Sequence, residues 1–224
     1  MYTQDMGTTP TSLLAFTIAD VCASSEGSIL VFLPGSSEIN QTEQYLSNHR
    51  LLGVDFSNTA QFRIYKLHGA MQKDEQMQVF GKLPPGCRKI ILSTNIAETS
   101  VTLPDIVHVI DTGKMRETRY DPVRRLAGLQ CVWESKSNSR QRAGRAGRVQ
   151  NGHYHTLFTK ERKASFRQQA TPEMHRVNLE STCLTIKASL PDQPVLPFLA
   201  DAIEPPPREA VIAATNQLLS LIHI

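Results

Sequence analysis

Apolar residues in this chain fall into short continuous runs, separated by longer stretches in which they recur every three or four positions. SILVFL, residues 28 to 33, is such a run, closed by Gly27 before it and Pro34-Gly35 after it, the pattern of a strand buried on both faces of a parallel sheet. FRIYKL (62 to 67, ending at His68-Gly69), KIILST (89 to 94) and VHVID (107 to 111) predict three more strands. Between them, Ser36 or Ser37 can cap a helix carrying Ile39, Thr42 and Leu46 on one side, and a polar helical stretch runs from about Gln72 to Phe80 before the Pro84-Pro85-Gly86 turn. Leu14, Ile18 and Val21 mark an amphipathic lead-in helix, with Thr11 as its cap. Apolar strands alternating with helical segments predict βαβ units, hence a parallel sheet covered by helices.

The pattern changes after Met115. MRETRY, a turn near Arg124 to Gly128, and LQCVW read as two antiparallel strands joined by a basic loop, a hairpin protruding from the sheet. QRAGRAGR (141 to 148), capped by Ser137 or Ser139, reads as a helix in which Gln141, Arg145 and Arg148, spaced by four and then three, share one face. Its small residues let the backbone lie close against a neighbour, while Arg142 points about a hundred degrees away and suits a salt bridge or domain contact. A rigid stripe of guanidiniums suits a polyanion, phosphate first, because each offers a planar fork of donors and stays charged. GHYHTLF (152 to 158) closes this part as a strand. Beyond the helix signal Thr171-Pro172-Glu173, residues to about 189 read as helix, followed by a Pro-rich turn and a second helix from about Pro207. This tail is expected to be truncated and too short to close its own core, and SLIHI at its end to be of doubtful nativeness.

Composition adds little until it is mapped. The 224 residues carry a net charge of +3 and no apolar run near the roughly 18 residues that span a bilayer. Between Lys114 and Arg148, however, ten Lys or Arg stand against three acids, a local +7 expected of a surface facing nucleic acid or nucleotide phosphates. The start lacks the basic lead-in of a secretory leader, and Cys22, Cys87, Cys131 and Cys183 form no CxxC pair. The expectation is therefore reduced thiols in a cytoplasmic or nuclear, not secreted, protein without membrane contact. Two decoys are set aside. Gly113-Lys114 lacks the rest of a phosphate loop, and His153 and His155, which alternate on a strand, have no further ligand spaced to join them around a metal.

FLPG (32 to 35), STNIAETSVTLPDI (93 to 106), VIDTGK (109 to 114) and QRAGRAGR, in this order and spacing, resemble motifs IV, V and VI of the DEAH-box/RHA (DExH) group of superfamily 2 ATP-dependent RNA helicases. The resemblance implies an α/β fold. Residues 1–11 would be a linker, 12–170 a second RecA-like domain, and 171–224 the start of a winged-helix domain. It implies that Gln141, Arg145 and Arg148 approach the ATP γ-phosphate, the two arginines as fingers. Phe80 would stack on adenine and Thr102 would lie near the ribose, although Pro104 stands where many relatives have Asp, which implies looser nucleotide selectivity. Thr94 and Asn95, at a strand-to-helix junction, would touch the RNA sugar-phosphate chain, and Arg124 and Arg125 at the hairpin tip would touch RNA. ATP and Mg²⁺ would be held mainly by a first RecA-like domain, since no Walker A lysine or DExH acidic pair occurs in these residues and the chain alone is not expected to hydrolyse ATP. The implied partners are RNA, that first domain and C-terminal domains of the same protein, with room for an activating protein. Translocation would run 3′ to 5′. The alternatives are a non-catalytic RNA-binding scaffold descended from such an enzyme, or a helicase that also acts on DNA.

Overall fold

The structure, a computed structural model, describes residues 9–99, 103, 105–121, 124–148 and 151–222. These fall into two compact units, one comprising residues up to 116 and 131–170, the other 117–130 and 171 onward.

In the first unit five parallel strands lie in the order β2-β3-β1-β4-β7: β1 (Ser28–Phe32), β2 (Phe62–Leu67), β3 (Arg88–Ser93), β4 (Ile106–Asp111) and β7 (His153–Thr156). Successive residues of a strand point to opposite faces, so each apolar run feeds two cores at once. Ile29, Val31, Ile90, Leu92 and Ile110 pack with α1 (Thr11–Ser24) and α2 (Ser36–Asn48) on one face. Leu30, Phe32, Ile91 and Val109 pack with Val79, Ala97 and Leu103 on the other. The expected faces of the two helices hold, with Leu14, Ile18 and Val21 buried on α1 and Ile39, Thr42 and Leu46 on α2. Their caps do not: α1 starts at Thr11 after Pro10, and α2 starts at Ser36 after Gly35, neither with a side-chain cap. The Gln72–Phe80 stretch is a short helix, α3 (Lys73–Met77), that tightens into a 3-10 turn over Gln78–Phe80. The remaining elements of this unit are α4 (Ile96–Thr99), α5 (Lys136–Ala143) and α6 (Lys160–Ala164).

The hairpin strands β5 (Lys114–Asp121) and β6 (Leu126–Trp133) pair with each other in a separate two-stranded sheet. The body of the hairpin belongs to the second unit, where Tyr120 donates its N–H to the Arg176 carbonyl and Arg176 donates to the Thr118 carbonyl. Two expectations about the tail are corrected here. The Thr171-Pro172-Glu173 signal opens only a 3-10 turn, Glu173–His175, and the helix proper, α7, runs Glu180–Ser189, because Asn178 turns back to accept the Glu180 N–H. The tail does close a small core: Leu179, Cys183, Val195, Leu199, Val211 and Ala214 are buried among α7, α8 (Val195–Ala200) and α9 (Arg208–Ile222). Among the described residues no helix is long and apolar enough to cross a membrane.

Gly27, at the entrance to β1, has φ +99°, and a Cβ there would stand 2.3 Å from Val107 Cγ2. Gly27→Ala combines a left-handed backbone with a clash against a buried side chain, so it is expected to cost about 1–3 kcal/mol. A lowered urea midpoint with unchanged m-value checks it.

Candidate functional site

Helix α5 starts where the base of the hairpin ends. Ser135 caps it, accepting the Asn138 N–H, while the Asn138 side chain reaches back to the Ser135 N–H, so the cap lies two residues before the expected Ser137. The far end differs more. The helix stops at Ala143, Gly144 caps it, and residues 144 to 147 form turns in which the Arg145 N–H reaches Arg142 and the Ala146 N–H reaches Ala143. QRAGRAGR is therefore half helix and half turn, and the single helical face expected to carry Gln141, Arg145 and Arg148 does not exist. Gly147 has φ +75° and donates to the Ile106 carbonyl; a Cβ on the facing Gly152 would sit 2.3 Å from its nitrogen. The small residues do allow close approach, but to this unit's own backbone, which sets the turn against the start of β4.

Arg142 pins the other side of that turn. It is fully buried, with Nε 2.7 Å from Glu98 Oε1, Nη1 2.8 Å from Asp111 Oδ1 and 3.1 Å from Glu134 Oε2, and its guanidinium over the Phe32 ring. Burial disfavours its charge, but the three carboxylates more than offset that and hold it protonated. The acids are not equally served. Asp111 also accepts the Gly113 N–H and the Tyr154 hydroxyl at 2.6 Å, and Glu98 accepts from Asn138. Glu134 shares the guanidinium with Asp111 beside it, and burial, reinforced by the charge of Asp111, pushes its carboxyl up to about 9. At neutral pH it carries a proton. A residue of motif V, one at the end of β4, one at the hairpin base and one of motif VI thus meet at a single buried cation. This hub was legible only as Arg142's divergence from the expected stripe; no spacing announced its partners.

Arg145 is half-buried and donates to the Glu98 carbonyl, and its charge is disfavoured first by burial and then by the guanidinium of Arg148 nearby. The structure thus brings Arg145 and Arg148 together, with Gln141 exposed on α5 one turn before them. Phe80 stands outside the core at 41% exposure, while its neighbour Val79 is buried. Thr102 and Pro104 lie outside the described residues. At the end of β3 the Thr94 N–H donates to the Leu67 carbonyl as a continuation of the ladder, so it is not the free phosphate donor the junction suggested; Asn95, at the start of α4, is exposed. In the second unit Arg124 is exposed beside Asp121, and Arg125, at φ +54°, lines a concavity with Tyr120 and α9. Sequence reasoning missed Arg116, whose guanidinium lies against Gly35 of FLPG and pairs with Glu38 at 2.9 Å. It also missed His108, which stacks on His153 and approaches His155 while holding the Glu26 carbonyl at 2.9 Å, a stacked row.

The model of the helicase conserved C-terminal domain family matches residues 11–150, from α1 through the motif VI turn. The chain belongs to that family. Relatives of this helicase domain include "DExH-box ATP-dependent RNA helicase DExH6" of Arabidopsis thaliana, 42% identical over 208 residues, covering 92% of this chain and 16% of the relative. Another is the mouse "ATP-dependent DNA/RNA helicase DHX36", 41% identical over 201 residues, covering 90% of this chain and 20% of the relative. The crystal structure of the E. coli DExH-box NTPase HrpB superposes with a TM-score of 0.77 at 29% identity, covering 96% of this chain and 25% of that one. The chain spans a quarter or less of the length of these proteins.

Removing the buried cation leaves the Glu98 and Asp111 carboxylates without a counter-charge, so Arg142→Ala is expected to cost about 3–5 kcal/mol in the helicase domain, read as a fall in urea midpoint. Glu134 adds a pH dependence. Its native pKa lies above the unfolded value, so from about 4.5 to about 9 the native state holds a proton that the unfolded state has lost, and stability falls as pH rises through that window. Glu134→Gln, which mimics the protonated acid, should flatten the fall; a pH series of urea midpoints checks both.

Proposed function

We propose that this chain is the C-terminal helicase half of an ATP-dependent RNA helicase, donating Arg145 and Arg148 across a cleft to ATP held by a first RecA-like domain. One observation carries the reading: Arg145 and Arg148 stand together on a turn past the end of α5, Arg145 held by the Glu98 carbonyl and the turn fixed from beneath by Arg142. Like charges held together in this way are relieved by an anion, and phosphoryl transfer supplies one, because negative charge spreads over the equatorial oxygens in the transition state. In this reading Gln141 orients the γ-phosphate side, Phe80 offers its exposed face to adenine, Thr102 lies near the ribose, and Mg²⁺ belongs to the first domain. The Thr94 hydroxyl and Asn95, with Arg124 and Arg125, grip the sugar-phosphate chain, contacts that read no bases and weaken with salt. Closing and opening of the domain pair would step the protein 3′ to 5′. The name of the mouse relative includes DNA, and backbone contacts discriminate poorly between the two nucleic acids unless the 2′-hydroxyl is read, so the same machinery extends to DNA strands.

The hub gives the reading its mechanism. Glu98 belongs to the motif V helix that follows Thr94 and Asn95, and it touches both Arg142 through its carboxylate and Arg145 through its carbonyl. A shift of the strand-gripping segment is therefore felt at the finger within one residue.

In the full-length protein, Arg145→Ala and Arg148→Ala are each expected to lower RNA-stimulated ATP turnover by about 10³-fold or more, with RNA affinity changed only a few-fold. Arg145→Lys should not restore it, because an ammonium lacks the planar fork. A wild-type protein that binds RNA and hydrolyses no ATP would replace this reading with the scaffold one.

A further inference from the structure

On the side of α5 away from the hub, a concavity of about 420 Å³ lies between α5 and α6. Lys136 and Arg140 reach it from α5, one helical turn apart, and Lys160 and Lys163 from α6. No acid lines it, and among the described residues none of the four cations is in an ion pair. The nearest acid in sequence, Glu161, is drawn to its own helix N-terminus and the Thr159 hydroxyl. The floor is formed by the Tyr154 ring with Ala143 and Ala164; the ring is fixed because its hydroxyl donates to Asp111 and meets the Ser139 hydroxyl, and the Lys163 ammonium stands over it, 5.6 Å from the ring centre. Two backbone hydrogen bonds, from Lys136 to the Arg167 carbonyl and from Ser137 to the Gln168 carbonyl, tie the start of α5 to the segment after α6. The Trp133–Phe166 and Phe158–Phe166 ring pairs pack beside them. The groove is thus built in advance rather than assembled from loose surface lysines.

We propose that this groove is a second docking site for single-stranded nucleic acid, taking successive backbone phosphates on its four cations and a sugar or base face on Tyr154. Neighbours three or four apart on a helix stand about 5–6 Å from each other, so each helix offers a pair of point charges to adjacent phosphates. A cationic rim over an aromatic floor is the arrangement that holds single strands without reading sequence. Two pairs of cations, each pair one helical turn apart, match a regular row of backbone phosphates better than the irregular charges of an acidic peptide, and Lys163 can leave the Tyr154 ring for a phosphate as a base takes its place, which favours nucleic acid. The site shares a ligand class with the proposed function but none of its residues. It would keep a strand attached while the motif V contacts release, and so bear on processivity rather than on hydrolysis.

The test uses the whole chain and a fluorescein-labelled oligouridylate. Lys160→Glu combined with Lys163→Glu, both exposed, should weaken binding about tenfold at low salt and reduce the slope of log affinity against log salt by about 1–2. Lys160→Gln with Lys163→Gln should give a smaller change of the same sign, which keeps the test intact should the reversal variant unfold. Wild-type binding with affinity and slope unchanged in both variants overturns this site and leaves the proposed function standing. Failure of the wild type to bind RNA overturns both. Displacement of the oligouridylate by polyglutamate as effective as that by unlabelled RNA of equal charge overturns the assignment in favour of an acidic protein.

Discussion

The first unit depends on one buried charge. Arg142 has no access to water, and a guanidinium so placed is tolerable only because Glu98, Asp111 and Glu134 surround it. Those residues come from α4, the end of β4 and the base of the hairpin, and Arg142 itself from α5. A hydrophobic cluster of the same volume would pack these segments together with more freedom to slide. Ion pairs to Glu98 at 2.7 Å and Asp111 at 2.8 Å, with fixed lone-pair directions, do not allow sliding, so the positions of the motif V helix and the motif VI turn are set relative to each other.

The same arrangement explains an apparent waste in QRAGRAGR. Three arginines in eight residues look like one electrostatic device, but the structure divides them by environment. Arg142 is consumed entirely within the fold, and the pair Arg145 and Arg148 sits beyond the helix end on a turn of restricted geometry. Under the proposed role, such preorganisation matters more than charge, because a guanidinium that has to be ordered at the moment of reaction contributes less than one held in place beforehand.

Strands and the faces of α1 and α2 were legible because burial on two sides leaves an unbroken apolar run and burial on one side leaves a helical period. Termini were legible less well. Ser135, not Ser137, caps α5, since the choice among nearby serines is made by the hairpin base they adjoin. Gly144 and Gly147 do not sit within a helix but end it and turn the chain; Gly147 has φ +75° and packs so closely against Gly152 that a Cβ on Gly152 would meet its nitrogen, a contact no local pattern reveals. Helices α6 and α8 have five and six residues, too few for periodicity to register, and α8 contains Pro197. The small core of the second unit escaped because its members, from Leu179 to Ala214, are spread over three short helices. Of the candidate site, the residue types were readable and the distribution of burial among them was not: Arg142 and Arg145 differ by one turn in sequence and by nearly everything in surroundings.

The order of the hub along the chain has a consequence for biosynthesis. Glu98, Asp111 and Glu134 all leave the ribosome before Arg142, and β7, whose Tyr154 completes Asp111, leaves later still. Until Arg142 emerges, burying those carboxylates would strand them without a counter-ion, so the nascent sheet gains little by closing early over this end. Completion of this end of the sheet thus waits for translation of the motif that supplies its cation.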